Sequence, residues 1–298
     1  MSQVETVRRQ LHGAETLQTV VSTMKTLASV RIGQYRHAVD ALDESGRTIE
    51  LALQSLLQLH PELLDAERVT HGGPVAAVVF GSDRGLCGPF AERIARHADG
   101  LLRHRTKASG PPTLLAVGRR MVAKLQDLGW PVERQIDPPG SLSAVDASAR
   151  AVLGTLNRWR DEGRAERLFL IHARPTAGAS YEPYALQLLP LDPSWLHAIR
   201  DRAWPSRRLP SMLGEARPLL QGVIRQLVAH ALVQAFAASQ ASENAARLAA
   251  MEAAERNLEE RIDQLRTRYQ AARQSAITSE LLDIQAAYAA GTDGVAGR

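Results

Sequence analysis

Apolar and small residues recur along residues 1–60 in steps of mostly three and four. They fall at Val4, Val7, Leu11, Ala14, Leu17, Val21, Met24 and Ala28, then at Ile32, Tyr35, Val39, Leu42, Ile49, Leu53 and Leu56. This is the seam of a coiled coil. No proline interrupts it before Pro61. At about 1.5 Å per residue such a helix would run roughly 85 Å. Gly13, Gly33 and Gly46 each cost about 1 kcal/mol relative to Ala, so the helix needs a partner. A second seam reads Leu248, Met251, Glu255, Leu258, Ile262, Leu265, Tyr269, Ala272 and Ala276, and neither Gly nor Pro occurs between Gly222 and Gly291. Pro218 stands where a first-turn proline is tolerated. A helix from about Pro218 to Tyr288 would run roughly 105 Å. Two seams separated by a middle domain predict antiparallel pairing within the chain; a parallel homodimer or separate bundle helices are the alternatives.

The middle, residues 70–205, changes period. "VAAVVF" (Val75–Phe80), "TLLAV" (Thr113–Val117), "RLFLIHA" (Arg167–Ala173) and "YALQLL" (Tyr184–Leu189) read as strands. Residues 89–104, 119–129 and 143–160 read as helices. Strand and helix in alternation predict an open α/β sheet. Residues 190–217 are rich in Pro and Arg and read as a linker. The predicted domains are therefore 1–60, 70–205 and 216–290.

Composition adds limits. The chain has 298 residues, 45% hydrophobic and 23% charged, with a net charge of +4. It is globular rather than disordered. The charge suits an acidic partner surface but is too small to argue for nucleic acid. One cysteine, Cys87, excludes an internal disulfide framework and suggests a reducing compartment. The opening "MSQVETVRRQ" lacks the apolar core of a signal peptide. The most apolar window, "LLQGVIRQLVAHALVQAFAA", is broken by Gln221, Arg225, Gln226, His230 and Gln234 and reads as a buried amphipathic helix, so membrane association is expected only through a partner.

The stretch "VVFGSDRGLCGPF" (Val78–Phe90) tests for catalysis, because glycine-rich turns between strand and helix often cradle phosphate. A Walker loop needs Lys and Ser or Thr after its last glycine, and here Pro89 and Phe90 follow Gly88. A dinucleotide loop needs three spaced glycines, and only Gly85 and Gly88 are in register. Asp83 is expected to salt-bridge locally or cap the turn. Cys87 has no neighbouring base, the nine histidines are scattered, and His172 on its strand reads as a core residue. No catalytic residue, cofactor site or metal site is predicted.

Three stretches together resemble the γ subunit of F-type ATP synthases: "TLQTVVSTMKTLASVR" (Thr16–Arg31), "SDRGLCG" (Ser82–Gly88), and "SENAARLAAMEAAERN" (Ser242–Asn257) followed by "ARQSAITSELLDI" (Ala272–Ile284). The likeness runs through the whole chain in order. It implies an antiparallel coiled coil carrying a Rossmann-like domain. It also implies a non-catalytic rotor that transmits torque between a membrane c-ring and a hexamer of α and β subunits, with ε beside it and one copy per complex. Nucleotide would then bind the hexamer, and this chain would hold no cofactor. The family places the position matching Met24, with Lys25 beside it here, against an acidic lever of β. It places Arg273, Gln274 and Thr278 on a catch loop of β. Ser82, Asp83, Arg84, Gly85, Cys87 and Gly88 form its signature loop. The implied location is peripheral, on the cytoplasmic face of a bacterial plasma membrane, touching lipid only through the c-ring. Thr19 and Ser22 stand where lysines are usual, and Leu191–Arg208 fits the family poorly where it meets ε and the c-ring. A standard or an alternate F-type subtype stays open. Outside the family, a small-ligand Rossmann enzyme with coiled-coil dimerisation arms and a coiled-coil scaffold are the rival readings.

Overall fold

The computed structural model describes residues 3–65, 73–107, 109–176, 180–207 and 210–293. The chain divides into two units: a middle unit, Ala28–Ala249, and a terminal unit made of Met1–Leu27 and Ala250–Arg298. Both draw on the same two helices, α1 (Gln3–Leu59) and α6 (Ala216–Asp293). Pro61 ends α1, and a short 3-10 turn, Pro61–Asp65, follows it.

In the middle unit, β1 (Val75–Phe80), α2 (Phe90–Arg105), β2 (Thr113–Val117), α3 (Arg119–Asp127), β3 (Arg134–Ile136), α4 (Val145–Asp161), β4 (Arg167–Pro175) and β5 (Tyr181–Leu189) form the α/β domain. The strand order is β3-β2-β1-β4-β5. The first four strands are parallel and β5 is antiparallel to β4. This is the predicted Rossmann-like open sheet. Every residue of β1 is buried, which is why its sequence is a continuous apolar run rather than an alternation. Ala76, Val78 and Phe80 face α1, α4, α6 and a further helix, α5 (Pro193–Asp201), whereas Val75, Ala77 and Val79 face α2 and α3.

The middle stretch of α6 is buried on every side, from Ala235 through Ala246. Small side chains make such enclosure easy, and eight of those twelve positions are Ala or Ser: Ala235, Ala237, Ala238, Ser239, Ala241, Ser242, Ala245 and Ala246. By length and composition alone α6 could cross a bilayer, with a mean hydropathy of 1.2 in its most apolar window. Its apolar residues Leu232, Ala235, Phe236 and Ala237 instead fill the core beside the sheet.

Within each unit α1 and α6 run antiparallel. In the terminal unit Glu15 pairs with Arg266 and Lys25 with Glu255. In the middle unit Asp43 meets Gln234, and Gly46 abuts His230. As one residue number rises, its partner's falls. The C-terminal seam is borne out, with Met251, Ile262 and Leu265 buried. The N-terminal seam needs one correction: Leu17 is exposed, and half-buried Gln18 takes the inward place between Ala14 and Val21. The helix takes a step of four and then three there, the reverse of the predicted order.

The predicted linker also needs correcting. It contains α5 (Pro193–Asp201). Asp192 caps it by accepting from the Ser194 backbone N–H at 2.9 Å, and Pro193 opens its first turn; both are helix-start signals. Leu196 and Ile199 are buried in the core. Gln54 and Gln58 of α1 donate to the carbonyls of Arg202 and Arg200 at 2.7 Å and tie down its end.

Candidate partner-binding surfaces

The signature loop leaves the C-terminal end of β1, the edge at which open parallel sheets take their ligands. Its geometry withholds two donors from an anion. Pro89 has no N–H to give, and the Phe90 N–H already donates to the Cys87 carbonyl at 3.3 Å. The head of α2 thus offers an anion no free donor at Pro89 or Phe90. Asp83 is engaged as well. It accepts from Arg119 Nε at 2.7 Å and Nη2 at 2.9 Å, and from the Arg119 backbone N–H at 3.3 Å. This bidentate grip holds the Asp83 carboxyl down at about 2. The bridge is not to its neighbour Arg84, which is exposed, but to the head of α3.

Gly118 makes this approach possible. Its φ is +96°, and a Cβ there would stand 2.5 Å from the Ser82 carbonyl oxygen. The loop tip carries Leu86, left-handed at φ +64° and 56% exposed. An exposed leucine in that backbone region is costly. Cys87 is buried, and burial pushes its thiol up, so it stays protonated and unreactive. His172 is a core residue, as its strand position suggested. Its Nδ1–H donates to the Ala173 carbonyl at 3.0 Å, its ring meets Phe80 and Tyr184 edge-on, and burial lowers it to about 4.

The fold brings this loop to the first half of the C-terminal motif. Glu243 is buried and ion-paired with Arg247 one turn on, and Arg247 also donates to Asn244. Both charges act on Cys87, and Asp83 acts on Glu243. Burial raises the Glu243 carboxyl, with Arg247 opposing. Sequence reasoning assigned no role to Arg119, Glu243 or Arg247. An Arg directly after a glycine at a helix start was the only signal for the first, and the i,i+4 spacing of opposite charges for the other two.

The terminal unit holds the other named residues. Met24 and Lys25 are half-buried, and Lys25 Nζ donates to Glu255 Oε2 at 2.5 Å, which raises the lysine. Thr16, Thr19, Thr23 and Thr26 each turn their hydroxyl back to the carbonyl four residues earlier, so this face of α1 shows methyl groups more than donors. Arg273, Gln274 and Thr278 are all exposed, and Thr278 Oγ1 donates to the Gln274 carbonyl at 2.9 Å. Gln274 and Thr278 share one surface hollow with Leu282. From Ile277 to Gln285 every residue of α6 is exposed, including Ile277, Leu281, Leu282 and Ile284. Among the described residues no group of three or more His, Cys, Asp or Glu is placed to hold a metal ion.

A family model described as ATP synthase matches residues 3–290. The chain belongs to this family as a γ chain. A γ chain is a non-catalytic subunit of its complex. The fold agrees. A chain of the Euglena gracilis mitochondrial ATP synthase rotor, in rotational state 1, is 20% identical with a TM-score of 0.62, over 92% of this γ chain and 98% of that one. A chain of the same organism's OSCP/F1/c-ring structure, in rotational state 3, gives 0.67 at 20% identity over 98% and 95%. A chain of the Tetrahymena thermophila mitochondrial central stalk and c-ring gives 0.56 at 22% identity over 79% and 99%. At these identities the likeness is one of fold.

Proposed function

We propose that this chain is the central shaft of an F-type ATP synthase and carries torque between a c-ring and a catalytic α/β hexamer, driven by protons or sodium ions. Family membership supports the role. The observation that carries the mechanical reading is the end of α6. Past Ala276 it has no covering partner among the described residues, yet it bears Ile277, Leu281, Leu282 and Ile284 outward. A helix end that is apolar outside suits a nonpolar sleeve in another protein. Arg273 and Gln274 stand just before it and Thr278 at its start, polar groups at helical spacing that would engage β at one rotational angle.

On this reading residues 1–60 and 216–290 form the shaft, and residues 70–205 form the base that meets ε and the c-ring. Met24 and Lys25 face the lever of β. Lys25 is already paired with Glu255, so β would meet a neutralised pair rather than a free cation. One copy serves each complex, peripheral to the cytoplasmic face of a bacterial plasma membrane. The test is an assembled complex carrying R273A and Q274A. ATP hydrolysis and ion pumping should both fall by at least tenfold with subunit composition unchanged. Wild-type turnover and pumping in that complex would reject the role of these residues. Failure of the wild-type chain to co-assemble with α and β would reject the shaft itself.

A further inference from the structure

Within the middle unit, α1, β5, the head of α5 and α6 enclose a cavity of about 500 Å³ that the shaft reading does not use. Its size is that of a small-molecule site. The walls are apolar: Leu186, Leu188, Leu191, Trp195, Leu227 and Val228. Gly46 keeps one wall open, since a Cβ there would stand 2.8 Å from His230 Nε2.

The rim is charged, but its two signs differ in how they are used. Each carboxylate accepts hydrogen bonds, Glu50 from a cation and Asp43 and Asp192 from neutral donors. Asp43 accepts from Gln234 Nε2 at 2.6 Å. Glu50 accepts from Arg202 Nη1 at 2.8 Å. Asp192 accepts from the N–H and hydroxyl of Ser194 at 2.9 and 2.7 Å. The rim arginines, Arg47 and Arg174, have no carboxylate partner among the described residues. Arg174 lies on the Tyr184 ring, 3.2 Å from its centroid. Stacking occupies the face of a guanidinium and leaves its in-plane N–H donors for an anion.

We propose that this cavity binds a small free amphiphilic carboxylate, its head held by Arg47 and Arg174 and its short apolar body lying against Trp195 and the leucines. The inference stands apart from the shaft reading. An occupant would bridge β5 and α5 to both long helices and so raise the unfolding temperature of the middle unit.

Calorimetric titration of the full chain with decanoate, below its micelle concentration, tests it. Saturable binding at one site per chain is expected. Affinity should fall at least tenfold in R47A/R174A and be lost in Leu227→Trp, whose indole fills the cavity. Decanol, with the same body and no charge, should bind at least tenfold more weakly. Arg47 is exposed, so the single variant R47A keeps the test valid should the others fail to fold. No saturable binding to the wild-type chain, equal binding of decanol, or unchanged decanoate affinity in R47A overturns the proposal. Sedimentation of the chain with phosphatidylglycerol vesicles that R47A/R174A abolishes, without binding of free decanoate, would make the rim a bilayer contact and overturn it too.

Discussion

The middle and terminal units use the same two helices and solve opposite problems. In the middle unit α6 is enclosed over twelve consecutive residues, and Phe236 meets Phe80 edge-on at 4.8 Å. In the terminal unit the buried apolar residues are Ala14, Met251, Ile262 and Leu265. Outward-facing apolar residues reverse the balance. Among the described residues, seven of the twelve large exposed ones lie in the terminal unit: Leu17, Val20, Leu27, Ile277, Leu281, Leu282 and Ile284. One unit keeps its apolar surface for itself, and the other shows it. A core that thin supplies little stability of its own.

Core truncation is the strongest way to break this contrast. Phe236→Ala should cost about 3–5 kcal/mol in denaturant unfolding. Ile262→Ala, in a seam with water on both sides that can close in, should cost about 1–2 kcal/mol. Equal costs would mean that the terminal unit has a true core.

Acid titration probes the middle unit alone. His172 takes a proton at about 6.5 in the unfolded chain and at about 4 when buried. Between those values the unfolded state binds more protons, so stability is full above pH 6.5 and falls as pH drops to 4. The loss should reach about 3 kcal/mol. His172→Phe should flatten that part of the stability profile, and a slope that persists would place the titration elsewhere.

The Asp83–Arg119 clamp should matter less. Asp83 moves from 3.8 to about 2 on folding, so its contribution is present above pH 3.8 and lost as pH falls to 2. Arg119 is largely exposed, and solvent screening leaves at most about 1 kcal/mol for D83N. Amide exchange in residues 82–88 should quicken in that variant. The smallest effect belongs to Lys25–Glu255. K25A should leave the stability of the isolated chain almost unchanged, and added salt should shrink any difference further.

The long helices and the four longer strands were legible because their periods persist over many residues. The three-residue β3 was not, since "RQI" is too short to carry a period and pairs only through β2. The α5 start was legible in Asp192-Pro193-Ser194 but hidden in a stretch whose prolines and arginines read as a linker. Leu17 misled because a one-residue change of step looks the same in sequence as an uninterrupted seam. The signature loop was recognisable, and the donor missing at Pro89 was readable. Its anchor was not, because Arg119 lies 36 residues away from Asp83 and only the β1–β2 pairing brings them together.

The bare end of α6 has a consequence for biogenesis. A newly made chain presents an unsheathed greasy tip to water, and any neighbour with a similar tip is a hazard. Its lifetime alone should therefore be short at high expression, and soluble yield should rise when a protein that covers the tip is made at the same time.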